Sequence, residues 1–228
     1  MTVTTHQPIL LPWPGFFFKA LKADCIVVLD NVQFPRGRGW VHRNRLKNQN
    51  GEQWLTVPVW KKGRGLQMIR EVEICYETDW QRKHLQSIWQ SYANAPYIKE
   101  YYPLVESIYN ENHTMLIDFN LKIIRFHWEA LALKTELYLQ SDLGVTGNGT
   151  DLIINICKHL KAETYVTLPI VEKYLDVSKM NQCGIQIRFV RYDPPIYPQL
   201  WGDFIYNLST LDMLLNCGKK SREIICGN

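Results

Sequence analysis

The residues best suited to chemistry lie between Gln33 and Arg70. There nine cations (Arg36, Arg38, Arg43, Arg45, Lys47, Lys61, Lys62, Arg64, Arg70) stand against one acid, Glu52. The window carries 9 − 1 = +8; the whole chain carries +4, so the remainder carries 4 − 8 = −4. Charge concentrated in this way points to a partner or substrate of negative charge. Within Gln33-Phe-Pro-Arg-Gly-Arg-Gly-Trp-Val-His-Arg-Asn-Arg-Leu-Lys47, four guanidinium forks match phosphate or carboxylate oxygens. The amides of Gln33 and Asn44 can read sugar hydroxyls or base edges, and Trp40 offers a stacking face. A solvated basic loop would share this composition. Single-stranded RNA would also suit a basic, aromatic loop. The acidic remainder and the lack of a known nucleic-acid module favour a small phosphorylated ligand over nucleic acid.

Two further groups could take part. His6-Gln7-Pro8 follows the β-branched stretch Thr2 to Thr5, and Asp30 follows the apolar run Cys25 to Leu29. A His and an Asp at adjacent strand ends can serve as general base and orienter, or clamp a substrate together with Gln7. Gly144-Val-Thr-Gly-Asn-Gly-Thr150 is a glycine-rich turn placed to open a helix, whose free backbone N–H groups would attract an anion. It is neither a Walker A loop nor a G-x-G-x-x-G dinucleotide fingerprint. Its plain reading is a tight turn with Thr150 as helix cap.

The elements that must position these groups follow from pattern. Thr2 to Thr5 reads as a strand, Gly15 to Ala23 as a helix and Cys25 to Leu29 as a buried strand, a βαβ unit that favours a parallel sheet. Pro35, Gly37 and Gly39 exclude a regular helix, so the basic segment is a loop at a C-terminal strand end, where open α/β sheets bind ligands. Leu55 to Val59 and Ile69 to Ile74 alternate like paired strands. Thr78-x-x-Gln81 caps a helix with Leu85, Ile88, Trp89 and Tyr92 on its apolar face. Pro103 to Tyr109 and Thr114 to Leu133 continue a helical middle, in which His84, His113 and His127 read as structural. Strand 136–140, helix 151–160, strand 164–168, helix 169–183 and strand 185–190 return to alternation. The expected fold is α/β, a mostly parallel sheet flanked by helices in a Rossmann-like three-layer arrangement, with a helical middle segment and one domain over 1–228.

Apolar residues make up 46% and charged residues 21%, as in ordinary soluble domains. Pro8 to Phe18 contains three prolines and a glycine before Lys19, unlike a signal peptide, and no uncharged stretch reaches membrane-spanning length, so a cytoplasmic protein is expected. Six cysteines without a C-x-x-C pair read as reduced core residues. No metal site is nominated, and the cofactor is left open.

Several motifs carry a resemblance. His6-Gln-Pro-x-x-Leu-Pro-Trp-x-Gly-Phe-Phe-x-Lys19, Asp24-x-x-Val-x-Leu-Asp30-x-Val-Gln-Phe34, Arg43-Asn-Arg45 and Trp54-Leu-Thr-Val-Pro58 resemble the WbqC-like family. So do Gly147-x-Gly-Thr150, Ile156-Cys-Lys158, Tyr174-Leu-Asp176, Tyr197-Pro-Gln-Leu-Trp-Gly202, Asn207-Leu-Ser209, Asp212 and Asn216-Cys-Gly218. Thr167-Leu168-Pro169 departs from the Ser-Gly-Pro-like turn expected there. The resemblance implies a role in bacterial surface-glycan biosynthesis, of O-antigen (lipopolysaccharide) or capsule. It also promotes Tyr197, Gln199, Asn207, Ser209 and Asp212 as substrate-binding residues. The resemblance does not define the reaction; the leading expectation, set by the basic segment in that context, is an enzyme transferring an acyl, aminoacyl or similar group onto a nucleotide-linked sugar or another phosphorylated small molecule. Arg36, Arg38, Arg43 and Arg45 would hold phosphates, Trp40 would stack and His6 would be the base. The alternatives are an ATP-dependent carboxylate-activating ligase and a non-catalytic scaffold of a glycan-assembly complex.

Overall fold

Cys25-Ile-Val-Val28 is buried at every position, which in a strand requires cover on both faces. The computed structural model describes residues 1–37 and 39–227. Among them the strands are β1 (Thr2–His6), β2 (Cys25–Val28), β3 (Arg43–Asn48), β4 (Gly51–Thr56), β5 (Glu136–Leu139), β6 (Thr164–Thr167) and β7 (Gln186–Phe189). The helices are α1 (Pro14–Leu21), α2 (Trp80–Tyr92), α3 (Ile98–Asn110), α4 (Leu116–Ala130), α5 (Gly149–His159), α6 (Val177–Gln182), α7 (Thr210–Cys217) and α8 (Ser221–Cys226). Tight 3-10 turns occupy Ile69–Glu71, Pro169–Tyr174 and Gly218–Lys220. No helix of the described residues is long and apolar enough to cross a membrane.

The chain divides into two compact units, each visited more than once. The first comprises residues 1–7, 15–32 and 134–193. Its five strands form an all-parallel sheet in the order β5-β2-β1-β6-β7. Val3, Cys25 and Val27 share one face and pack on Leu152, Ile153, Ile156 and Cys157 of α5 and Met180 of α6. Alternation turns His6 to the other face, where its ring meets Phe16 of α1 edge-on at 4.9 Å. Helices therefore cover both faces, giving the three-layer α/β fold expected from the sequence.

Strand order sets where this unit can bind. From β1 the sheet grows outward through β2 to β5; the chain then returns to the other side of β1 with β6 and grows outward again to β7. The reversal lies between β1 and β6, whose C-terminal ends are His6 and Thr167. A crevice at such a point is the usual ligand position in open α/β sheets.

The second unit comprises residues 8–14, 33–133 and 194–228. It joins the β3–β4 hairpin to α2, α3, α4, α7 and α8. The buried rings of Trp80, Tyr109 and Phe119 meet at 5.0–5.8 Å and knit α2, α3 and α4 together. Asn120 donates to the carbonyls of Pro8 and Val41, both at 2.7 Å, and so anchors segment 8–14.

Several boundaries move from their sequence reading. The expected short helix at Pro103 starts earlier, at Ile98, because Pro103 is accommodated inside α3. Leu85, Ile88 and Tyr92 are buried as expected, whereas Trp89 is 47% exposed and packs edge-on against Tyr102. Ile69–Glu71 is a 3-10 turn, followed by two isolated bridges, Glu73 to Met115 and Val59 to Ile74. The helix expected over Pro169 to Cys183 splits into a 3-10 turn and α6, with Asp176 capping α6 through Lys179 N–H at 2.9 Å.

The glycine-rich turn is shaped by close approach to α5. Gly147 sits at φ +136°, and a Cβ there would stand 3.0 Å from the Leu152 nitrogen. Gly147→Ala should lower stability by about 1–3 kcal/mol in urea unfolding with an unchanged m-value. Gly144→Ala, at φ +62° in open space, should cost about 1–2 kcal/mol from backbone strain alone. Equal losses at the two positions would remove the close-approach argument.

Candidate functional site

In the second unit, segments 33–36 and 60–67 form a half-open pocket of about 430 Å³ lined by Phe34, Pro35, Arg36, Lys61, Gly65, Leu66 and Gln67. Phe34 N–H donates to Gln67 O at 2.9 Å, and Gln33 bridges Met68, which closes the two segments into one wall. Two cations and no carboxylate line the cavity. The Lys61 ammonium lies 5.2 Å from the Phe34 ring centre and 3.2 Å from His42 Nε2. A lysine must be the donor there, so Nε2 accepts and the proton sits on Nδ1, which is buried with no partner. Burial, then the charges of Lys61 and Arg43, push His42 down to about 4. It is neutral at neutral pH, and the ammonium is left to meet an anion.

The β3–β4 hairpin distributes the other cations. The Arg43 guanidinium lies 3.8 Å from the Trp54 ring centre, and Trp54 leans on Trp40 at 5.4 Å, with both indoles more than 40% exposed. This stack is an open aromatic platform with a cation upon it. Arg45 pairs with Glu52 and donates to Tyr206 O at 3.1 Å. Asn44 is buried; it donates to the carbonyls of Leu10 (2.9 Å) and Leu11 (2.8 Å) and accepts from Arg45 N–H. Residues 43–47 are therefore strand, where the sequence suggested loop. Arg38 lies outside the described residues.

The C-terminal polar set forms a network in the same unit. Asp212, wholly buried, accepts from the hydroxyls of Tyr92 (2.6 Å) and Tyr197 (2.8 Å). Burial raises its carboxyl, while the two tyrosines and Lys47 pull it back. Buried Lys47 donates to Gln199 Oε1 (3.2 Å) and Asp203 O, and Gln199 also clamps the Ile205 backbone. Ser209 caps α7 by accepting from Leu211 N–H. Asn207, at φ +56°, keeps a buried Oδ1 without a partner. The polar atoms of Tyr197, Gln199, Ser209 and Asp212 thus serve one another and the backbone.

In the first unit, His6 ends β1 with Nδ1 2.9 Å from Gln7 O. A carbonyl only accepts, so Nδ1 carries the proton and Nε2 keeps its lone pair. Burial, then the Lys19 charge, push His6 down to about 3. Asp30 is 2% exposed and accepts Ser141 N–H at 2.9 Å, and no hydrogen bond joins it to His6. Thr150 is the second residue of α5, whose cap is Asn148; its hydroxyl accepts Asp176 N–H. Lys19, 5% exposed, donates to Thr5 O at 2.8 Å, and burial pushes its amine down to about 7. No group of three or more His, Cys, Asp or Glu among the described residues could hold a metal ion.

Sequence reasoning missed Lys61 and Lys19. In sequence Lys61 is only one cation among nine, and the fold of 60–67 onto 33–36 gives it a pocket. Lys19 carried a signal: a lysine beside Phe16, Phe17 and Ala20, all fully buried, on a helix otherwise facing the core.

These features define a parallel α/β protein with a basic, aromatic cavity. Its sequence matches the WbqC-like protein family over residues 7–224, and the chain belongs to that family. It is 32% identical over 225 residues to "Uncharacterized protein Rv1507c" of Mycobacterium tuberculosis (strain ATCC 25618 / H37Rv), covering 98% of this chain and 96% of that protein. No solved structure matches the chain significantly.

Two outcomes follow. Asn44→Ala strands two buried carbonyls, so it should cost about 2–3 kcal/mol in chemical denaturation and leave anion affinity unchanged below the unfolding transition. Separately, burial holds His6, His42, His84 and His127 at about 3, 4, 4 and 4, below their ordinary 6.5. The unfolded chain therefore binds more protons than the native one. The histidine contribution is fully favourable above pH 6.5 and is lost as pH falls towards 4. Unfolding at pH 5 should take up as many as about four protons, read from the slope of stability against pH. A flat slope between pH 6.5 and 5 would contradict these burials.

Proposed function

We propose that the chain is an enzyme of bacterial surface-glycan biosynthesis that binds a nucleotide-linked sugar, or another phosphorylated small molecule, and transfers an acyl or aminoacyl group to it. The observation that carries this reading is the cavity lined by Arg36, Lys61 and Phe34 without a carboxylate. Its volume falls in the range of about 300–1,000 Å³ typical of small-molecule sites. Two cations suit the oxygens of a diphosphate, and the Phe34 ring suits an apolar sugar face or base. The exposed Trp40–Trp54 platform offers a second stacking surface. The surface-glycan context rests on what the family resemblance implies. We read 1–228 as one functional domain, because the family match runs through both units.

In the transfer, the amine of the acceptor sugar attacks the acyl carbon, a C–N bond forms, and the bond to the acyl carrier breaks. The amine proton passes to a general base. A carboxylate-activating ligase would use the same cavity for the phosphates of ATP.

A thermal-shift series separates these readings. A nucleoside diphosphate sugar at a hundredfold excess over its Kd should raise Tm by about 5–10 °C. Arg36→Ala/Lys61→Ala should abolish that rise. Stabilisation by ATP alone would favour the ligase. Silence from nucleotides, nucleotide-sugars and acyl-CoAs alike would overturn the small-ligand reading.

A further inference from the structure

The pairing of β1 explains why a lysine is buried in the first unit. β1 pairs with β2 from Val3 to His6, yet with β6 only at Thr2–Thr164 and Val3–Tyr165. Both strands run on, to His6 and Thr167, with no further pairing between them. His6 O accepts Leu29 N–H at 2.8 Å, beyond the end of β2. Carbonyls of successive strand residues point to opposite sides, so Thr5 O points towards β6, into the gap where the ladder has ended. The Lys19 ammonium fills the vacant donor position at 2.8 Å.

An ammonium has three N–H donors, and Thr5 O is the one acceptor found for this one among the described residues. No ion pair of the described residues includes Lys19. Its near neighbour His6 is neutral and cannot supply the missing negative charge. Thr4, on the same sheet face as His6, has a buried hydroxyl with no partner. A methionine would pack such a position without the desolvation cost of a charge. The gap also lies where the strand order reverses.

We propose that Lys19 is the receiving group of a second anion site, in the crevice between the C-terminal ends of β1 and β6, which takes a carboxylate or phosphate group of a substrate. The ligand supplies the counter-charge that the protein withholds, and the two spare N–H donors of Lys19 bind its oxygens. The site uses only residues of the first unit and stands whether or not the Arg36–Lys61 cavity binds nucleotide-sugars.

The test uses the full chain carrying Arg36→Ala/Lys61→Ala, so that the other cavity is silent. It is titrated with sodium phosphate and, separately, sodium acetate, each against sodium chloride at matched ionic strength. One lysine Cε resonance should shift saturably in 13C-lysine NMR, and Lys19→Met should remove both that resonance and the anion-dependent rise in Tm. Loss of Lys19 should weaken the responsive probe by about tenfold or more. A response to phosphate alone assigns a phosphate ligand, and one to acetate alone a carboxylate. If Lys19→Met does not fold, the NMR titration of the double variant decides, with Lys19→Arg identifying the resonance. A Lys19 signal unmoved by both anions, or equal stabilisation with and without Lys19, would leave the lysine a mere tether for Thr5 and overturn the proposal.

Discussion

The first unit depends on an unequal bargain at its central strand: β1 is hydrogen-bonded along one edge to β2 and along only part of the other to β6. A parallel sheet whose order reverses must part its strands somewhere, because the connections leave in opposite directions. Here the parting leaves the Thr5 carbonyl without a strand partner, and a buried backbone acceptor must find a donor. Lys19 meets that need from the crossover helix. The hydroxyls of Thr5 and Tyr165 bond at 2.8 Å on the opposite face, which limits how far the strands separate. A backbone requirement thus brings a charge into the core, where burial, and then that charge, depress the neighbouring His6.

The second unit solves a different problem. Residues 8–13 have no regular structure of their own, and their carbonyls at Pro8, Leu10 and Leu11 are satisfied by two asparagine side chains, Asn120 and Asn44. Amides suit this task because one NH₂ can donate to two carbonyls in a plane. The same unit buries Asp212 with two tyrosine hydroxyls instead of a cation at bonding distance. Each device fixes a loop by polar contacts that water cannot replace once the surroundings are apolar.

Much of the parallel sheet was legible because period and punctuation agreed. Cys25 to Val28 is continuously apolar, Thr2 to Thr5 is β-branched, and Gly144 to Gly149 interrupts the chain before α5. The roles of polar residues were less legible. Asn44 and Arg43 are adjacent in sequence, yet strand alternation buries one amide and lays the other side chain on an exposed indole. Tyr197 and Asp212 are fifteen residues apart and bond directly, a pairing that no local pattern encodes. The helix boundaries erred where tertiary contacts outweighed local signals, as at Pro103 inside α3.

Charge counting illustrates the same limit and also its remedy. The basic window contains nine cations, but the fold assigns several of them. Arg45 is answered by Glu52, Arg64 by Glu73 in a bidentate pair, and Lys47 by Gln199 and Asp203. Arg43 lies over Trp54. Arg36 and Lys61 differ because they share a cavity with no acid in its lining. A paired surface cation contributes little to recruiting a ligand, since the ligand must displace a partner of similar worth. A cation beside an aromatic wall with no carboxylate against it retains its attraction for an anion. The net charge of the segment therefore overstates how much of it is free of partners, and Arg36 and Lys61 stand apart in a lining without a carboxylate.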